Sequence, residues 1–193
     1  MPYNKSLAAI ILAGGRSSRM GTDKGMMHFN ERPLISHVID VLRSLEIDNI
    51  LIITQHGAYE QFGYPCYPDL IQFKGPLGGI YAGLSHSKAN KNLVLACDMP
   101  FLTKELLSAL ISDIGEEDAL ISQHLGKAEP LCSVYASSCI PHFKNKLDTD
   151  QLKITDALQG LNTRNINFDG ESWFQGNEFS NLNTPDELNK HQH

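Results

Sequence analysis

The chain has 193 residues, 41% hydrophobic and 20% charged, the balance of a soluble globular protein long enough for one three-layer domain. Its formal net charge is -6 and no run of basic residues occurs, which argues against a broad nucleic-acid or anionic-membrane surface, since both need a positive footprint. A local basic pocket for a small phosphorylated ligand remains compatible with that charge.

Met1 to Ser6 lead into a short apolar run, Leu7–Ala13, with no small-residue cleavage region. That run is too short for a membrane span, so the expected location is the cytoplasm. Leu7–Ala13, Ile50–Thr54 and Leu93–Cys97 read as buried strands bounded by polar or glycine-rich turns. Between them Leu34–Leu45, Leu77–His86 and Lys104–Ile111 carry helical spacing. Continuous apolar strands alternating with helices predict a wound α/β domain, its mostly parallel sheet covered on both faces.

Beyond about residue 115 the pattern loosens. Strands are expected at Ala119–Ser122, Leu131–Tyr135 and Asn165–Phe168, and helices near Ser137–Leu147 and Ile154–Leu158. Asp169–Ser180, rich in glycine and polar residues, reads as a flexible loop. Thr184-Pro185-Asp186-Glu187 then forms a capping box for a last helix. The expectation is one domain over 1–193, nucleotide-binding to about 115 and acceptor-binding beyond. Cys66, Cys97, Cys132 and Cys139 form no CxxC pair and read as reduced core cysteines.

The strongest motif follows the first strand: Leu12-Ala13-Gly14-Gly15-Arg16-Ser17-Ser18-Arg19-Met20-Gly21-Thr22-Asp23-Lys24-Gly25. Ligands of open α/β sheets bind beyond the carboxyl ends of strands. Gly14 and Gly15 leave room for a base or phosphate, exposed N–H groups can cradle phosphate oxygens, and Arg16, Arg19 and Lys24 suit a triphosphate. The spacing fits neither G-x-G-x-x-G nor the P-loop, because the glycines fall at 14, 15 and 21 and Lys24 precedes Gly25. Asp98, at the end of the third strand, can project a hard carboxylate oxygen into the same crevice, as magnesium prefers, or can cap the turn.

The loop, with Asp69 before Gly75-Pro76-Leu77-Gly78-Gly79, then Cys97-Asp98-Met99-Pro100 and Asn181-Leu182-Asn183-Thr184-Pro185, resembles the signature of the molybdenum cofactor guanylyltransferases. Those enzymes lie within the sugar-nucleotide-type pyrophosphorylase superfamily. The likeness spans almost the whole chain and implies a three-layer α/β/α Rossmann-like nucleotidyltransferase fold. It implies GTP contacts at Leu12, Ala13, Gly14, Gly15, Lys24, Thr54, Asp69, Gly75, Pro76, Leu77 and Asp98. Lys24, Arg19 and Asp98 take the catalytic roles, with Mg²⁺ on Asp98, and Asn181 and Asn183 lie near the metal or the acceptor.

The alternatives are local. Asp69 can accept from guanine N1–H and N2–H₂ or be an exposed turn residue, and Gly75 to Gly79 can be a structural turn. Asn181 and Asn183 can be turn and cap residues. Trp173, Phe174 and Phe179 can stack on a pterin or anchor their loop. Three positions depart from the common family form: Thr54 replaces asparagine, Gly78 replaces alanine, and Glu31 replaces glycine, the last suggesting an altered turn.

The implied reaction needs no protein nucleophile. The phosphate monoester of molybdopterin, with a second pKa of roughly 6, attacks the α-phosphorus of GTP and expels pyrophosphate. Molybdenum-insertion proteins and apo-molybdoenzyme chaperones are further expected partners. Rival readings are a cytidylyltransferase for molybdopterin or another phosphorylated metabolite, and a non-catalytic cofactor carrier.

Overall fold

A computed structural model describes residues 7–14 and 23–182. The strands are β1 (Leu7–Leu12), β2 (His28–Phe29), β3 (Arg32–Pro33), β4 (Ile50–Ile53), β5 (Cys66–Tyr67), β6 (Lys91–Ala96), β7 (Ala119–His124), β8 (Lys127–Ala136) and β9 (Thr163–Asn167). The α-helices are α1 (Leu34–Ser44), α2 (Gly75–His86), α3 (Lys104–Ser112), α4 (Cys139–Asp148) and α5 (Ile154–Ala157). Lys24–Met26 and Gly57–Phe62 form 3₁₀ turns.

Seven strands make one sheet in the order β5-β4-β1-β6-β8-β7-β9. β5, β4, β1 and β6 are parallel neighbours, β8 runs against both β6 and β7, and β9 is parallel to β7. Only β8 is therefore reversed, as a mostly parallel sheet requires. From β1 the chain first builds outward through β4 and β5, then returns to place β6 on the other side of β1. That reversal puts a topological switch point between β1 and β6, where open α/β sheets bind ligands.

Side chains alternate across each strand, and the two cores follow that parity. Ala9 and Ile11 face α1 and α3 through Ile35, Val38, Ile39, Leu106 and Leu110. Ile10 and Leu12 face α2, α4 and α5 through Leu77, Ile80, Leu84, Phe143 and Ile154. The helices supply these contacts at i, i+3 and i+4, as Leu34, Ile35, Val38, Ile39 and Leu42 do in α1. Thr103 caps α3 by accepting from Leu106 N at 3.2 Å.

The strands and helices expected from sequence within the described residues are present, with their ends shifted by a few residues, and the helix expected after Thr184 lies outside the described residues. The Asn165–Phe168 strand is Thr163–Asn167, and α2 begins at Gly75. Asn30 and Glu31 join β2 to β3 with φ of 47° and 63°. This is the left-handed two-residue turn that Asn-Gly pairs favour, and here glutamate occupies the second place. Asp169–Ser180 has no strand or helix, but its aromatics are not loose. Trp173, Phe174 and Phe179 form a ring cluster with Phe168 and pack on the core, which is the anchoring role. The four cysteines are free, three of them buried and Cys66 half-buried. No helix among the described residues is long and apolar enough to cross a membrane.

Candidate active site

β1 ends in a buried Leu12 and Ala13, held between neighbours on both sides: Ala13 N donates to Ile53 O at 2.9 Å, and Cys97 N donates to Leu12 O at 3.1 Å. Gly14 follows, exposed, and a Cβ on it would meet only Ile53 O, at 3.8 Å. The sheet thus delivers an open glycine to the switch point. Gly15, Arg16, Arg19 and Asn183 lie outside the described residues.

The chain returns at Asp23, and Lys24 stands in the next turn. Lys24 Nζ lies 3.8 Å from Asp98 Oδ2, so the glycine-loop lysine and the β6 carboxylate meet across the switch point. Burial pushes the Asp98 carboxyl above the usual carboxylate range, and Lys24 offsets part of that shift. The carboxylate is therefore under-compensated, which suits a cation and phosphate chemistry beside it. Its hard oxygens fit magnesium, which needs only one or two carboxylates and completes its shell with water and substrate phosphate. Among the described residues no three His, Cys, Asp or Glu side chains gather as a protein-only metal cage.

The Lys24 turn has its own support, which the sequence reading did not assign. Tyr59 Oη donates to Asp23 Oδ1 at 2.5 Å, and His56 Nε2 lies 3.8 Å from Asp23 Oδ2. Tyr59 is fully buried, and burial first, then Cys97 and Asp23, push its phenol strongly up, so it remains a donor. Gly25 fits beneath: a Cβ there would run into Tyr59 Oη and Cys97 Sγ. The signal was available in Asp23-Lys24-Gly25, whose flanking residues hold the lysine. Tyr59 carried no local signal, because only the tertiary fold brings it there.

A second group lies on the other face of β1. A Cβ on Gly79 would sit 3.3 Å from Leu12 Cδ2 and 3.7 Å from Asp69 Oδ1, so Asp69 and Leu12 share one spot beside α2. Burial pushes the Asp69 carboxyl up. Gly75 takes φ 61° to turn the chain into α2, and Pro76 occupies its first turn. Leu77 puts its side chain wholly in the core, so only its backbone can meet a ligand there. Thr54 is buried at the end of β4, where its hydroxyl accepts from His56 N at 3.1 Å. That hydroxyl serves the turn holding His56.

The C-terminal signature returns to the same edge. Leu182 N donates to Asp98 O at 2.9 Å, with Asn181 exposed beside it. Leu182 is buried with Phe29 and Leu34, against Met27 and Phe101.

A doubly wound, mostly parallel sheet with a glycine loop, a lysine and an aspartate at its switch point defines a nucleotidyltransferase-type α/β protein. The family model described as a MobA-like NTP transferase domain matches residues 9–162. A probable molybdenum cofactor guanylyltransferase of Flavobacterium johnsoniae is 37% identical over 186 residues, covering 96% of each chain. The molybdenum cofactor guanylyltransferase of Vibrio parahaemolyticus is 34% identical, over 93% of this chain and 91% of the relative. Among solved structures, molybdopterin-guanine dinucleotide biosynthesis protein A from Archaeoglobus fulgidus superposes with a TM-score of 0.75 at 27% identity, over 95% of each chain. The chain belongs to the molybdenum cofactor guanylyltransferases, nucleotidyltransferases of the MobA-like family.

Proposed function

We propose that the crevice between β1 and β6 transfers GMP from GTP to the phosphate of molybdopterin, releasing pyrophosphate and forming the molybdopterin guanine dinucleotide. The observation that carries this reading is the 3.8 Å approach of Lys24 Nζ to Asp98 Oδ2 at the switch point, with Gly14 open beside it. Family membership supports the same chemistry.

Residues to about 115 bind the nucleotide and those beyond it the acceptor. Gly14 and the N-terminal backbone of α2 line the phosphate and base path, where exposed N–H groups favour anions. Asp69 accepts hydrogen bonds from guanine N1–H and N2–H₂, a donor pair that cytosine lacks. An acceptor phosphate oxygen forms a bond to the α-phosphorus as the bond to the pyrophosphate oxygen breaks. No proton needs removal, because the attacking monoester is already largely ionised. Lys24, and Arg19 from the sequence pattern, neutralise charge that builds on the phosphates. Asp98 would hold Mg²⁺, and the ion would supply positive charge to offset that of the phosphates. Asn181, and Asn183 from the sequence pattern, serve the metal or the acceptor phosphate. Molybdenum-insertion proteins and apo-molybdoenzyme chaperones in the cytoplasm are the partners this product requires.

Mixing the protein with Mg²⁺, GTP and molybdopterin should release one pyrophosphate per dinucleotide formed. Faster release with CTP would assign a cytidylyltransferase instead, and tight acceptor binding without release would assign a carrier.

A further inference from the structure

The functional reading leaves the half-buried Glu129 unused. Glu129 lies near the start of β8, the strand beside β6, at the carboxyl edge that also carries Asp98. β8 pairs with β6 only as far as Leu95↔Cys132, and its register against β7 breaks between Leu120↔Val134 and Ser122↔Glu129. Five residues of β8 therefore span two of β7, so the strand bulges between Glu129 and Val134. The bulge is braced: Ser133 Oγ donates to Glu129 O at 2.7 Å and accepts from Ser122 N at 3.1 Å, while Tyr135 Oη donates to Pro130 O at 2.8 Å. Bulges that re-aim a side chain recur next to active sites.

The bulge leaves the Glu129 carboxylate without a hydrogen-bond donor among the described residues. Its ladder partner Ser122 is wholly buried, and Ser122 Oγ has no hydrogen-bond partner there either. His124 is committed elsewhere, with Nδ1 2.6 Å from Asp169 Oδ1 and its ring edge-on to Phe174. Burial raises the Glu129 carboxyl, and the charges of His124 and Lys127 only partly oppose that. A half-buried carboxylate without a protein donor keeps its acceptor capacity for solvent or a ligand.

We infer that Glu129 is the specificity residue for the acceptor's bicyclic head, accepting hydrogen bonds from the 2-amino group and N3–H of a 2-amino-4-oxopteridine. The two groups lie side by side, as the two oxygens of a carboxylate require. His124 closes β7 at the same edge. The assignment rests on the guanylyl-transfer reading of the crevice, and it extends that reading to the far end of the acceptor.

The test uses two fluorescent bicycles, pterin and lumazine, which differ in carrying 2-amino or 2-oxo. The full chain, its Glu129→Ala variant and its Glu129→Gln variant are titrated with each, and GTP binding is measured in parallel by calorimetry. Wild type should prefer pterin, and Glu129→Ala should lose about 10- to 100-fold in pterin affinity with GTP affinity unchanged. Glu129→Gln should reverse the preference, because an amide can donate to the 2-oxo group while still accepting from N3–H. Equal pterin binding by wild type and both folded variants overturns the assignment of Glu129 while leaving guanylyl transfer standing. Failure of the wild type to bind GTP or release pyrophosphate overturns the reading beneath it.

Discussion

The backbone N–H of Leu182 donates to the carbonyl of Asp98 at 2.9 Å, tying the last described residues of the chain to the acid at the mouth of β6. The tie is secured by packing, since Leu182 is 1% exposed among Phe29, Leu34, Met27 and Phe101. Truncating the side chain loosens both at once. Leu182→Ala should cost about 2–5 kcal/mol by urea titration, the range for a buried leucine. It should also raise the KM for molybdopterin more than that for GTP. Equal rises in both would show that this segment serves the whole crevice and has no special link to the acceptor.

Asp98→Asn should abolish Mg²⁺-dependent transfer and at the same time stabilise the fold. Burial sets the folded carboxyl above its ordinary value, so between those two pH values the native state holds more protons than the unfolded one. Stability therefore falls as pH rises through that interval, and the penalty persists above it. Asparagine removes the charge, so the variant should melt higher at pH 7 in EDTA, with the gain fading below the ordinary aspartate range. A lower melting temperature at pH 7 would mean that the carboxylate is satisfied by partners and that the burial argument is wrong.

Lys24→Ala separates chemistry from folding in the other direction. Its side chain is 32% exposed and its Nζ stands 3.8 Å from Asp98, too far for a hydrogen bond and open to water on the lysine side, so the pair adds little to stability. Stability should change by under about 1 kcal/mol, while the rate of transfer falls by roughly 10²–10³, the usual loss for one preorganised charge contact. Normal turnover by the folded variant would remove Lys24 from the mechanism.

The layers and the site were legible in different degrees, for physical reasons. β1, β4 and β6 are continuous apolar runs because both faces are covered, and that pattern is local to the sequence. Lys24 and Asp98 were legible through motif spacing and strand ends. Tyr59 and Glu129 were not: each depends on a contact or a register break between segments far apart in the chain. Thr54 and Leu77 show the converse. Their motif position suggested ligand contact; the Thr54 hydroxyl accepts from His56 N and keeps its own proton to donate, while the Leu77 side chain is wholly in the core and leaves only backbone for a ligand. A signature locates a backbone; it does not say where each side chain goes.

Gly25→Ala tests the support beneath Lys24. The added methyl would strike Tyr59 Oη and Cys97 Sγ, so overpacking should cost about 1–3 kcal/mol and slow transfer by displacing the lysine turn. Tyr59→Phe alone loses the hydrogen bond to Asp23. Combined with Gly25→Ala it should cost less than the sum of the two, because it removes one of the atoms the methyl meets. Strict additivity in a double-mutant cycle would show that the methyl is accommodated elsewhere.

Glu31 offers a stability change that leaves the crevice alone. The residue is exposed, and φ of 63° places it in the left-handed region, at the second position of the β2–β3 turn. For a residue with a Cβ that backbone costs roughly 1–2 kcal/mol, whereas glycine adopts it freely. Glycine also has more conformational freedom to lose on folding, which returns about 0.5–1 kcal/mol of the gain. The net expectation for Glu31→Gly is therefore stabilisation by about 0.5–1 kcal/mol, a rise of roughly 1–4 °C in melting temperature for a chain of this size. The turn leads into α1 through Arg32, which pairs with Asp40 at 2.7 Å and does not involve Glu31. Transfer rates and GTP affinity should match wild type. Glu31→Ala, which keeps a Cβ, should show no such rise. If alanine stabilises as much as glycine, the gain comes from removing a negative charge on a chain of net charge -6, and backbone strain at residue 31 is not its cause.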